Sequence, residues 1–202
     1  RLLRPLIWGF NGIANKVLTF FGLPAARPED VTPQDIVALT NAGAEAGVVA
    51  RQEQELIGNV FELEIRTAPS TMTARESIVW LERDANEEDI RATISANPHA
   101  KFPVCTGSID QVVGYVDSKD ILSRLLVNKP LSMGGESLLH NVLILPETLT
   151  LAEIIAQFKA TREDFALIIN EYALIVGLIT LNDVTGTLMG STLAAVADEQ
   201  II

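Results

Sequence analysis

The sequence predicts an α/β protein of the α+β kind, in which two tandem β-α-β-β-α units follow a helical connector. Three observations carry that expectation. The run Gly114-Tyr115-Val116-Asp117-Ser118-Lys119-Asp120 returns 63 residues later as Gly177-Leu178-Ile179-Thr180-Leu181-Asn182-Asp183. The same interval links Phe102-Pro103-Val104 to Phe165-Ala166-Leu167, and such a period takes precedence over any local pattern. Each copy of the longer run reads as an apolar strand ending in a short polar turn that opens a helix. A helix start presents unpaired N–H groups and partial positive charge, so a hydroxyl and a carboxylate there can organise a small polar ligand.

The elements follow in order. Residues 1–28 carry Leu3, Leu6, Ile7, Phe10, Ile13, Ala14, Val17, Leu18 and Phe21 at three-and-four spacing, one apolar helical face with Trp8, Asn11, Asn15 and Thr19 opposite. Arg4, Pro5, Asn11, Asn15 and Lys16 interrupt what a spanning helix needs, roughly 20 mostly apolar residues. The expectation is an amphipathic juxtamembrane helix lying on a membrane surface or a partner; an ordinary core helix is the bland alternative.

Residues 29–66 form the connector. Thr32-Pro33-Gln34-Asp35 combines a capping residue, proline at the first helical position and an acid in the first turn, and a second short helix is expected over 51–63. The first repeat, 67–126, opens with the polar loop Thr71-Met72-Thr73-Ala74-Arg75. It continues with a strand at 78–81, a helix from 87 to 96 capped by Asn86, strands at 102–105 and 112–116, and a helix over 118–126. Residues 127–141, containing Met133-Gly134-Gly135, are the linker. The second repeat, 142–190, runs through a strand at 142–145, a helix capped by Thr150 with Glu153 three residues on, strands at 165–169 and 175–179, and a helix from 182. Residues 191–202 are a tail.

The composition excludes several classes. No basic residue excess exists beyond residue 28, where 26 acids face 11 bases, so nucleic acid is not an expected partner. The single cysteine, Cys105, cannot form an internal disulfide and reads as a core thiol. Two histidines and no Cys/His cluster argue against structural zinc. No nucleophile–base pair, metal cluster or phosphate-loop glycine motif suggests an enzyme. The chain begins at Arg1 without an initiator methionine and is read as a piece of something longer.

A tandem unit of this length, with a glycine, two hydrophobic residues and an aspartate six positions on at the last strand-to-helix turn, resembles a pair of CBS domains. Thr71-Met72-Thr73-Ala74-Arg75 resembles the M-T-P-R motif, and His99-Ala100-Lys101-Phe102-Pro103-Val104 the H-S-R-Y-P-V segment, of the CorC/hemolysin-C and cyclin-M group. Ala74 departs from the usual proline, Lys101 from arginine, and Tyr172-Ala173-Leu174 from a Y-G-G turn whose glycines reach positive φ freely.

The resemblance implies a cytosolic regulatory pair on the inner face of the plasma membrane, a homodimer, attached to its own transmembrane domain in a magnesium- or cobalt-type efflux protein. It also implies an adenine nucleotide, ATP or AMP with or without Mg²⁺, in a cleft of Thr73, His99, Lys101, Phe102, Pro103, Thr180 and Asp183. There Asp183 would accept the ribose hydroxyls, Thr180 would donate to phosphate, Lys101 would supply countercharge and Phe102 an apolar wall. No catalytic and no metal-ligating residue is implied.

At the related second cleft the repeat puts Asp164 opposite Lys101 and Asp117 opposite Thr180, negative charge where phosphate would go. One occupied cleft is expected, with Asp120 capping its helix. Apolar faces at Leu122, Leu125 and Leu126, and at Val184, Leu188 and Met189, are the candidate dimer surface. A purely structural dimerisation module with empty clefts is the competing reading.

Overall fold

The computed structural model describes residues 31–127, 129, 131 and 138–189. The expected amphipathic helix, the glycine-bearing part of the linker and the tail lie outside the described residues. Two compact units divide at residue 49. The first holds α1 (Pro33–Glu45), where Thr32 and Asp35 form a reciprocal capping box. Its chain turns back after the helix, the N–H groups of Val48 and Val49 both donating to the Gly43 carbonyl.

The second unit opens with α2 (Arg51–Leu63) and contains both repeats. Its strands are β1 (Thr73–Ala74), β2 (Leu81–Glu82), β3 (Lys101–Thr106), β4 (Ser108–Asp117), β5 (Leu143–Pro146), β6 (Phe165–Ile169) and β7 (Ile175–Thr180). Its remaining helices are α3 (Glu87–Ala96), α4 (Ser118–Leu126), α5 (Leu151–Thr161) and α6 (Leu181–Met189). One sheet has the order β2-β3-β4 and the other β1-β7-β6-β5.

The second order crosses the two repeats. Residues 67–74 open the first repeat in sequence yet pair with the second: Thr73 faces Leu178 across β1 and β7, and Thr67 bridges Thr150. The exchange is mutual, because His140 bridges Tyr115 on β4 of the first repeat. Each repeat lends its leading segment to the sheet of the other. The motif glycines permit it: a Cβ on Gly177 would stand 2.7 Å from the Thr73 carbonyl oxygen, and one on Gly114 2.7 Å from that of His140.

Helix starts behave as the sequence suggests. Thr150 and Glu153 form a second reciprocal box, and Asn86 accepts from the Asp89 N–H. The strand expected at 78–81 is shorter, since pairing with β3 begins only at Leu81, opposite Val104. At the β6–β7 hairpin the missing glycines are met by strain and a side chain. Ala173 takes φ 59°, while Asn170 Oδ1 accepts from the N–H groups of Tyr172 and Leu174, both at 3.0 Å.

Burial divides into three clusters. Leu81, Ile90, Phe102, Val104, Val116 and Ile121 fill the first repeat, and Leu145, Leu151, Ile154, Phe158, Ile179 and Val184 the second. Ile78, Cys105, Ile109, Leu167 and Ile175 join the two sheets. Cys105 is fully buried, which pushes its thiol up to about 12 and leaves it a core residue. Val184 belongs to the core rather than to an outer face, and Leu125 and Leu188 pack partly on their own clusters. Leu122, Leu126 and Met189 remain exposed.

Candidate functional site

A cleft of about 460 Å³ opens where β1, the segments before and at the start of β3, and the β7–α6 turn converge. That is an ordinary size for a small-ligand site. Thr73, His99, Lys101, Thr180 and Asp183 line it, drawn from both repeats. Phe102 and Pro103 do not. Both are buried, and Phe102, wholly enclosed in the first-repeat core, offers no wall to a ligand. Ile78, Val79 and Leu178 supply the apolar lining instead.

The β7–α6 turn is a capping box. The Thr180 N–H and hydroxyl both donate to Asp183 Oδ2 at 2.8 Å, and the Asp183 N–H donates back to Thr180 Oγ1 at 3.2 Å. The expected donation from Thr180 to a phosphate is therefore pre-empted, because its one hydroxyl hydrogen is already spent. The box also fixes the carboxylate. Among the described residues Asp183 Oδ1 and the Thr73 hydroxyl bond to no protein group, which leaves one acceptor and one hydroxyl on residues that line the cleft.

Lys101 is not a free countercharge either. Its ammonium donates to Asp164 Oδ1 at 2.6 Å, lies 3.8 Å from Asp117 Oδ2 and sits 5.3 Å from the centre of the Tyr115 ring. The repeat arithmetic set Asp164 in the other cleft, but the structure puts it on the wall of both. Lys101 and Asp164 hold equivalent positions in the two repeats. Their meeting follows from the pseudo-twofold relation, which brings equivalent strand starts together at the axis.

The second cleft differs, though not for the reason the repeat suggested. Its acids are compensated. Burial would raise the Asp117 carboxyl, but bonds from the Lys119 ammonium and N–H, with the charges of Lys119 and Lys101, hold it below its ordinary value. Asp117, not Asp120, caps α4, accepting from the Lys119 N–H. Asp120 instead meets His140 Nε2 at 2.9 Å, and the His140 ring stacks on Tyr115 with centroids 5.1 Å apart. By register, His140 occupies the place of Thr73 and Tyr115 that of Leu178. The counterpart of the Asp183 carboxylate is thus engaged by the protein's own imidazole. Tyr115 is further tied by its hydroxyl, which donates to Glu163 Oε2 at 3.0 Å.

Sequence reasoning placed Asp164 in the second cleft alone and missed the lining by Ile78 and Val79. The signal for Asp164 was present in the 63-residue interval, which pairs it with Lys101. Among the described residues no group of three or more His, Cys, Asp or Glu is arranged to hold a metal, and no helix is long and apolar enough to cross a membrane.

Comparison with known proteins agrees with this architecture. A CBS-domain family model matches residues 137–190. The polyamine export protein of Salmonella typhimurium is 51% identical over 199 residues, 98% of this chain and 44% of the relative. The chain therefore spans less than half the length of the curated relatives it matches. The crystal structure of a CBS domain protein from Shewanella oneidensis shares 30% identity, covering 60% of this chain and 96% of that one at a TM-score of 0.57. The CBS domain of a bacterial CNNM/CorC family Mg²⁺ transporter in complex with ATP shares 27% identity, covering 69% of this chain and 98% of that one at a TM-score of 0.61. The interlocked repeats, their glycine-to-aspartate turns and these likenesses together show that the chain belongs to the CBS-domain family, as a tandem pair of the CorC, hemolysin-C and cyclin-M kind.

Proposed function

We propose that this pair is a nucleotide-sensing regulatory module, without catalysis of its own, that binds an adenine nucleotide in the Thr73/His99/Lys101/Asp183 cleft. One observation carries the reading: a carboxylate fixed by a capping box, with Oδ1 unbonded, beside an apolar lining contributed by both repeats. The Ile78, Val79 and Leu178 side chains suit the face of a base, and Asp183 Oδ1 with the Thr73 hydroxyl suits ribose. Mg²⁺ would arrive on the phosphate chain. The ATP complex of the CNNM/CorC relative supports the ligand class.

As part of a longer transport protein, the module would lie on the cytoplasmic side of the inner membrane. The 51% identity to a protein named for polyamine export favours an organic polycation as cargo over the magnesium or cobalt ions suggested by the wider family. Exposed Leu122 and Leu126 on α4 and Met189 on α6 support self-association as a homodimer. Sedimentation at tens of micromolar reads that directly, a monomer counting against it.

Titration calorimetry with ATP, AMP and adenosine tests the ligand. Binding of all three is the expected result. No heat from any of them at millimolar concentration would leave only the self-associating structural module.

A further inference from the structure

We infer that Asp164 is a positioning residue that sets how strongly the cleft prefers phosphate-bearing over phosphate-free adenine ligands, by competing with phosphate for Lys101. The inference rests on the nucleotide reading above and deepens it. The Lys101 side chain is only 15% exposed and its ammonium is held at 2.6 Å by a carboxylate on the same cleft wall. An anionic ligand entering the cleft therefore meets a cation already committed. It must either draw Lys101 away from Asp164 or leave a negative charge beside its own phosphate. Both outcomes penalise a charged ligand, and neither touches adenosine.

The neighbours show which contact gives way. Asp117 also lies near Lys101, but it keeps the Lys119 ammonium at 3.0 Å and the Lys119 N–H at 3.1 Å when Lys101 leaves. Asp164 has Lys101 as its one side-chain partner among the described residues, and its own side chain is 57% exposed, so the released carboxylate can turn to water. Its backbone is independently anchored, the carbonyl accepting from the Leu181 N–H at 2.9 Å at the start of α6. A side-chain change at Asp164 leaves that anchor in place.

Calorimetry of the whole chain with ATP and adenosine, on Asp164→Asn, Asp164→Glu, Lys101→Met and the Asp164→Asn/Lys101→Met double variant, tests this. Asp164→Asn should tighten ATP about three- to tenfold, the scale of a partly exposed ion pair plus a nearby like charge, and leave adenosine within about twofold. Asp164→Glu, which keeps the carboxylate, should restore the unmutated ATP-to-adenosine ratio. The gain from Asp164→Asn should be smaller in the Lys101→Met background. Equal changes for ATP and adenosine, or an undiminished gain without Lys101, overturn the role of Asp164 while leaving the nucleotide reading standing. No heat from either ligand with any variant overturns both.

Discussion

Gly177→Ala tests whether the crossed segments hold the two repeats together. A Cβ at this position would stand 2.5 Å from Met72 Sδ, 2.9 Å from Met72 Cγ and 2.7 Å from the Thr73 carbonyl oxygen. Non-bonded carbons sit comfortably at roughly 3.5 Å, so something must retreat by about 0.7 Å or more. Met72 can rotate away. The Thr73 carbonyl cannot, because it belongs to the β1 backbone, whose two residues pair with Leu178 and Gly177 itself. Overpacking of this kind costs about 1–3 kcal/mol, a fall in Tm of roughly 3–10 °C for a domain of this size. Gly114→Ala, 2.7 Å from the His140 carbonyl, should behave alike. Gly186, exposed on α6 with nothing within 4 Å of a built Cβ, is the control: its alanine variant should gain up to about 1 kcal/mol from helix propensity. Urea denaturation of the three variants, at constant m-value, reads the difference. If Gly177→Ala is as stable as the unmutated chain, or gains as Gly186→Ala does, the close approach is not what the motif glycine provides.

Three further outcomes are expected. Asp183→Ala should weaken adenosine and ATP alike by at least about tenfold, and Asp120→Ala should leave both nearly unchanged; calorimetry showing equal losses would mean that the clefts are equivalent. Ala173→Gly should raise Tm by roughly 1–4 °C, because glycine occupies φ near 60° without the Cβ clash, partly offset by its greater unfolded freedom; an unchanged or lower melting point would mean the turn is unstrained. The bidentate bonds from Arg75 at 2.6 Å, helped by the Ile175 N–H, hold the Asp110 carboxyl below its ordinary 3.8 despite the opposing effect of burial. A depressed folded value means that this stabilisation is complete above the unfolded value and lost as pH falls through the folded one. Denaturation at pH 3–6 should therefore show a flatter acid limb in Asp110→Asn, and an identical limb in both would remove Asp110 from the acid response.

Much of the fold was legible because its signals are a repeat and a set of local caps. The caps at Thr32, Asn86 and Thr150 each depend on a few neighbouring residues, and the 63-residue interval needs only the chain set against itself. The exchange of leading segments was not legible. Residues 67–74 read as the start of the first repeat because sequence order says nothing about which sheet edge is open, and β1 is only two residues long. The same limit explains Phe102. Its motif position is right for the cleft's neighbourhood, but strand alternation turns the ring inward, where it meets the first-repeat core at zero exposure.

Equivalent positions of the two repeats end with different partners in the two clefts. In both repeats the motif aspartate lies beside the leading segment contributed across the axis, so its fate depends on what that segment carries. Where it carries Thr73, the aspartate is braced by Thr180 and keeps an oxygen for a ligand; where it carries His140, an imidazole takes that oxygen. With a ligand bound across the Thr73/Asp183 cleft, the exchange would also have a regulatory use. A ligand shifts a conformational equilibrium only by its differential affinity for the two states. A molecule touching His99 and Lys101 from one repeat and Asp183 from the other necessarily has such a difference whenever the repeats move against each other. Lys101 adds to it, since its ion pair with Asp164 spans the same axis and a phosphate that takes the lysine removes that tie. Nucleotide charge would then report on the spacing of the repeats, which adenosine, lacking the phosphate, would leave intact.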